Sequence, residues 1–128
     1  MKYLLDTHTF IWLNGKSSKL SLRAADICSD RTNQLLLSIA SVWEIQIKIQ
    51  LGKLELPASL GEILTAQQAT NSIQLLNIEL SQIFELASLP YHHKDPFDRL
   101  LIAQARIEGA QFITNDPHIA KYPVPVVW

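Results

Sequence analysis

Glu44-Ile45-Gln46-Ile47-Lys48-Ile49-Gln50-Leu51 alternates polar and apolar residues without a break, and the class of fold turns on how it is read. By period alone it is a strand, because alternate side chains of an extended chain point to opposite faces. Its flanks say helix. Ser41 stands three residues before Glu44, the spacing of a capping box, and Gly52 follows at once, where helices commonly stop. At 100° per residue the apolar side chains then gather into two stripes. Val42, Ile45 and Ile49 make one; Trp43, Ile47 and Leu51 make the other. A helix apolar on two sides is expected to be sandwiched, one stripe on its own sheet and the other on a partner chain.

Outward from this helix the chain alternates. Upstream, Gln34 to Ile39 is a Leu-rich buried strand after the turn Arg31-Thr32-Asn33. Ser21 opens a helix to about Asp30, with Leu22, Ala25 and Cys28 at three-residue spacing. Residues 2–6 form an apolar strand ending in Asp6, and His8 to Leu13 begins a helix that Asn14-Gly15 breaks. Downstream, the sequence predicts a helix from Ser59 to Ala69 and a strand from Ile73 to Ile78. A helix from Leu80 to Leu89 should turn Ile83, Phe84 and Ala87 inward. Asp95-Pro96 is an N-cap followed by Pro at the first helical position, and Gly109 closes that helix. Gln111 to Thr114 and Val124 to Val127 are the last strands, separated by the turn Asn115-Asp116-Pro117. Strands alternating with helices imply an α/β fold of three layers, α/β/α, with a mainly parallel sheet covered by helices on both faces.

The chain has 128 residues, 48% hydrophobic and 18% charged, which suits one domain over 1–128 with a substantial core. Eleven Lys and Arg against twelve Asp and Glu give a net charge of −1, which excludes a strongly basic nucleic-acid coat. A single cysteine, Cys28, excludes an internal disulfide and a Cys-rich zinc site. Asp6 interrupts the N-terminal apolar run, and no run approaches the roughly 18 apolar residues needed to span a bilayer. A cytoplasmic location without membrane contact is expected.

Four carboxylates carry the functional reading. In a parallel sheet with helical crossovers, strand ends and helix starts share one edge. Asp6 and Asp116 follow strands, while Glu44 and Asp98 fall in predicted first helical turns. All four therefore reach the carboxyl edge, where ligands bind in open α/β sheets. Each also has a plain structural use: strand end, capping box, first-turn acid, turn residue. Converging acids raise one another's pKa or require a cation. Oxygen-only donors suit Mg²⁺ or Mn²⁺ and not zinc. A carboxylate-held divalent ion is suited to phosphodiester hydrolysis, because it acidifies water and polarises the phosphoryl oxygen.

Four segments in order, Leu4-Leu5-Asp6-Thr7-His8, Ser41-Val42-Trp43-Glu44-Ile45, Asp95-Pro96-Phe97-Asp98-Arg99-Leu100-Leu101-Ile102-Ala103-Gln104-Ala105 and Thr114-Asn115-Asp116, resemble the motifs of PIN-domain ribonucleases. The VapC-type toxins of toxin–antitoxin pairs are the branch they resemble most. The resemblance runs from about residue 3 to Trp128, and the Asp95–Ala105 run is its most specific part. It implies a Mg²⁺- or Mn²⁺-dependent endoribonuclease with Asp6, Glu44, Asp98 and Asp116 as catalytic acids, of which Asp6, Asp98 and Asp116 hold metal. It further implies an RNA substrate, a small antitoxin partner and a homodimer. Asp95 is set aside for its capping position. Thr7 and Thr114 either orient carboxylates or bond backbone.

The remaining polar residues are read more plainly. His92-His93 is taken as a solvated loop pair, since neighbours on an extended chain point apart. His8 either touches substrate or packs. Trp12, Trp43 and Trp128 are read as core or interface side chains before base-stacking ones. Arg99, Lys48 and Lys94 are the cations able to flank the acids. Two other readings compete. A Mg²⁺-binding signalling receiver needs an Asp after a central strand and a late Lys; here Glu79 follows the 73–78 strand and no Lys follows Thr114. A catalytically silent PIN-fold binding module would not need all four acids.

Overall fold

The computed structural model describes residues 1–128. Five strands and six α-helices follow one another as β1 Lys2–Leu5, α1 Thr7–Leu13, α2 Leu22–Ser29, β2 Gln34–Ser38, α3 Ile39–Gln50, α4 Leu60–Thr70, β3 Gln74–Leu76, α5 Leu80–Glu85, α6 Pro96–Glu108, β4 Gln111–Ile113 and β5 Val126–Val127. Every strand pairing is parallel, and the order across the sheet is β3-β2-β1-β4-β5. The chain works outward from β1 on one side and returns to the other side with β4. The β1/β4 seam is therefore the point where strand order reverses, and crevices form at such points.

The central strands are apolar on both faces because both are covered. Tyr3, Leu5, Leu35, Leu37 and Ile113 pack into one core with Phe10, Ala24, Ile45 and Ile63 from α1 to α4. Leu4, Leu36 and Phe112 pack into a second core with Leu101, Ile102 and Ala105 of α6. This is the expected three-layer arrangement. No helix is long and apolar enough to cross a membrane.

The alternating segment is helical. Core demand overrides its strand-like period: Ile45 is fully buried, with Val42 and Ile49 beside it. The second stripe is left uncovered, with Trp43 and Leu51 each more than half exposed. Two predicted details change. The cap of α3 is Ser38, whose Oγ accepts the Ala40 N–H, so the helix starts earlier and Glu44 sits in its second turn. Ser41 is buried inside the helix and caps nothing. On α5 the expected inward face is reversed: Ile83 and Phe84 are exposed while Gln82 is fully buried. Gln82 closes a capping box with Glu79 and accepts a hydrogen bond from Gln104, so polar pairing with α6 sets the helix rotation.

At α6 the predicted punctuation holds. Asp95 Oδ1 accepts the Phe97 and Asp98 amides at 2.9 and 3.2 Å, Pro96 opens the helix, and Gly109 ends it with φ +62°. That left-handed geometry costs glycine little.

Candidate active site

Asp6 is the first residue beyond β1, and its amide donates to Ile113 O of β4, so the sheet ladder itself holds it at the seam. Its carboxylate is buried, and Oδ2 accepts the Thr114 hydroxyl at 2.7 Å. Thr114 Oγ1 in turn accepts the Asp116 amide at 3.1 Å, and Asp116 Oδ1 accepts the His118 amide at 2.8 Å. One hydroxyl thus connects the acids that follow the two central strands. Burial pushes the Asp6 carboxyl above its ordinary range. The Thr114 bond and His8 oppose that rise, and the Asp116 charge adds to it.

Glu44 approaches from α3. The Thr7 hydroxyl lies 2.9 Å from both Glu44 Oε1 and Ser41 Oγ. An ionised carboxylate only accepts, so Thr7 donates to Glu44 and receives the Ser41 proton. Glu44 Oε2 is 3.1 Å from Lys48 Nζ one turn along the helix. Both threonines therefore orient carboxylates.

Asp98 lies in the first turn of α6, 3.1 Å by its Oδ2 from His93 Nε2. Burial lifts its carboxyl to about 7; the His93 bond works against this, and the charges of Asp95, Asp6 and Glu44 reinforce it. Asp98 therefore lies within reach of the charges of Asp6 and Glu44, and Asp6 within reach of that of Asp116. No three His, Cys, Asp or Glu side chains close into a ready-made cage around a single point. Asp6, His8, Trp12 and Asp116 line an open depression of about 380 Å³. A larger groove of about 600 Å³ lies at the far end of α3, among Gln46, Ile49, Leu56 and Leu60, and contains none of the four acids.

The donor set fits a hard divalent cation. It is all oxygen, three of its acids (Asp6, Glu44 and Asp98) are largely pulled from water, and the only lysine or arginine paired to any of the four is Lys48. An open carboxylate edge without a three-ligand cage suits Mg²⁺, which retains several waters and takes one or two carboxylates. A structural zinc site would need a closed tetrahedral set.

Two sequence readings need correction. Arg99 does not face the acids. It is buried, donating from Nη1 to Pro90 O at 2.8 Å and the Tyr122 hydroxyl at 3.1 Å, with its guanidinium 3.8 Å from the centre of the Tyr91 ring. It braces the loop before α6. Nor is His93 a solvated partner of His92: its ring is mostly buried between Tyr122, Asp98 and His118. The signal available was Tyr122, the last tyrosine of the chain, but its pairing across about thirty residues has no local signature.

The comparisons agree with this fold. The family model described as PIN domain matches residues 3–125. No curated protein matches the chain. Among solved structures, VapBC2 from Rickettsia felis bound to a promoter DNA fragment superposes with a TM-score of 0.74 at 14% identity, covering 99% of this chain and 98% of that one. DNA-bound VapBC from Salmonella typhimurium gives 0.68 at 14%, covering 99% and 97%. A toxin–antitoxin complex from Klebsiella pneumoniae gives 0.62 at 18%, covering 98% and 96%. At such identities the likeness establishes the fold.

Proposed function

Since the chain belongs to the PIN domain family, we propose that it is a metal-dependent endoribonuclease and the toxin of a VapBC-type toxin–antitoxin pair. The observation that carries the proposal is the Thr114 hydroxyl joining Asp6 to Asp116 at the strand-order reversal, with the largely buried Asp98 carboxyl near enough to feel the Asp6 charge. Acids gathered in this way are costly unless a cation compensates them.

Asp6, Asp98 and Asp116 are the residues that would hold Mg²⁺ or Mn²⁺, one or two of them directly and the rest through waters that the ion keeps. A bound divalent ion would acidify water and polarise a phosphoryl oxygen. The chain's own contributions are distinct. Thr114 holds Asp6 and the backbone of Asp116 in a fixed relation. Thr7 fixes Oε1 of Glu44, and Oε2, which already meets Lys48 at 3.1 Å, keeps a further lone pair with which to orient the attacking water and accept its proton. Lys48, beside Oε2, supplies a positive charge for the scissile phosphate.

RNA is proposed as substrate from the family resemblance and the phosphodiester chemistry. The partner is a small antitoxin, supported by structural relatives that are VapBC complexes. A homodimer in the cytoplasm completes the reading. The uncovered Trp43 and Leu51 stripe of α3 is consistent with a protein-covered surface. The deciding experiment incubates the purified chain with RNA in Mg²⁺, Mn²⁺ or EDTA, beside Asp6→Asn. Cleavage only with metal, and lost in Asp6→Asn, is expected. Undiminished cleavage in EDTA refutes the metal mechanism, and no cleavage under any condition favours a silent binding module.

A further inference from the structure

We infer that His93, set by Tyr122, is the positioning residue that orients Asp98 for metal binding; this rests on the metal-dependent reading above. His93 bridges the two residues: Nε2 is 3.1 Å from Asp98 Oδ2 and Nδ1 is 2.9 Å from the Tyr122 hydroxyl. The phenol oxygen sits among donors. The His92 and His93 amides reach it at 3.2 Å and Arg99 Nη1 at 3.1 Å. These three donors share its two lone pairs, and the hydroxyl has one proton to give, toward His93 Nδ1 at 2.9 Å or His93 O at 3.2 Å.

Donor and acceptor rules then assign the ring. An ionised Asp98 only accepts, so Nε2 must carry a hydrogen. In the neutral ring Nδ1 is therefore the acceptor, and Tyr122 is the hydroxyl that faces it. When that hydroxyl donates to Nδ1 and not to His93 O, Tyr122 favours the tautomer that makes His93 a donor to Asp98. The buried Arg99 holds the phenol in place, and the His118 ring, stacked at 5.7 Å and 10° from parallel, supports the imidazole. His118 also donates its amide to Asp116, so the stack ties the Asp98 side of the site to the Asp116 side. The outcome for Asp98 is asymmetric: Oδ2 is held by His93, and Oδ1 has no hydrogen bond within the protein. Hydrogen bonds that orient a metal-binding side chain commonly change metal affinity by about 10- to 100-fold.

The test compares full-length wild type with His93→Gln, His93→Asn and Tyr122→Phe, reading the Mn²⁺ Kd by electron paramagnetic resonance and the metal concentration for half-maximal RNA cleavage. The Gln amide nitrogen reaches the Nε2 position, whereas Asn reaches only the Nδ1 position. His93→Asn should weaken Mn²⁺ about ten-fold, with His93→Gln recovering to within about three-fold of wild type. Cleavage by His93→Asn should return at high metal, which a lost fold would not allow. Should His93→Asn melt early, Tyr122→Phe, which retains both rings, is expected to weaken Mn²⁺ in the same direction. Equal Mn²⁺ affinity in all four proteins removes the positioning role alone, as does equal weakening in Gln and Asn. A wild type that binds no Mn²⁺ overturns the metal reading and this inference with it.

Discussion

Replacing Asp98 by Asn should stabilise the metal-free protein while destroying its activity. Burial and neighbouring acids lift the Asp98 carboxyl to about 7 from an ordinary value near 4. The folded chain then binds more protons than the unfolded chain between about pH 4 and pH 7, so wild-type stability falls as pH rises through that window. At 1.36 kcal/mol per pH unit the full penalty above pH 7 is at most about 4 kcal/mol. The side chain keeps 15% exposure at an open edge, and solvent screening there reduces the figure to about 1–2 kcal/mol. Asn is nearly isosteric and its Oδ1 still accepts from His93 Nε2, so little packing or hydrogen bonding is lost. For a chain of this size, Asp98→Asn should melt roughly 4–8 °C above wild type at pH 8 in EDTA. The gap should close toward pH 4. Saturating Mg²⁺ should reverse the order, because wild type gains binding free energy that the variant lacks. The assay is a thermal melt at pH 4, 6 and 8 with and without metal, beside RNA cleavage. A variant that melts at or below wild type at pH 8 in EDTA refutes the account of Asp98 as a strained, desolvated anion.

Three further outcomes are expected. Since a proton competes for Asp98 with a midpoint of about 7, Mg²⁺ affinity should fall as pH drops below 7 and level off above it; titration calorimetry at pH 6 and pH 8, in buffers of different ionisation enthalpy, should show proton release on binding at pH 6. Lys48→Gln removes the cation at 3.1 Å from Glu44, which should tighten Mn²⁺ by about two- to five-fold while raising the KM for RNA, at a stability cost of about 0.5 kcal/mol; unchanged KM would remove Lys48 from the substrate path. Cys28 is buried and its thiol is pushed up to about 11, so a thiol reagent at pH 8 should label it only at the rate of global unfolding; rapid labelling of the native protein would contradict its place in the core.

Most of the architecture is legible in the residues because it depends on local or one-dimensional information. The Asp95-Pro96 start and Gly109 end of α6 are backbone rules, and both recur in the structure. The double-apolar helix around Ile45 stops before Gly52 as its downstream flank indicates, but its cap is Ser38 and not Ser41, since a strand end and a helix start compete for the same few residues. The α5 face could not be read in this way. Apolar Ile83 and Phe84 point outward because Gln82 finds a partner in Gln104 of α6, and nothing near Gln82 in the chain announces that partner.

The acids divide along the same line. That Asp6, Glu44, Asp98 and Asp116 should reach one edge is what the sequence alone leads one to expect, because β–α alternation sends strand ends and helix starts to the same side of a parallel sheet. What the acids touch was decided only by tertiary structure. Thr114 bonds Asp6 across 108 residues, His93 bridges Asp98 and Tyr122, and Arg99 turns inward to brace a loop. Hydrogen-bond partners depend on distances of a few tenths of an ångström between remote segments, and the packing of two cores sets those distances.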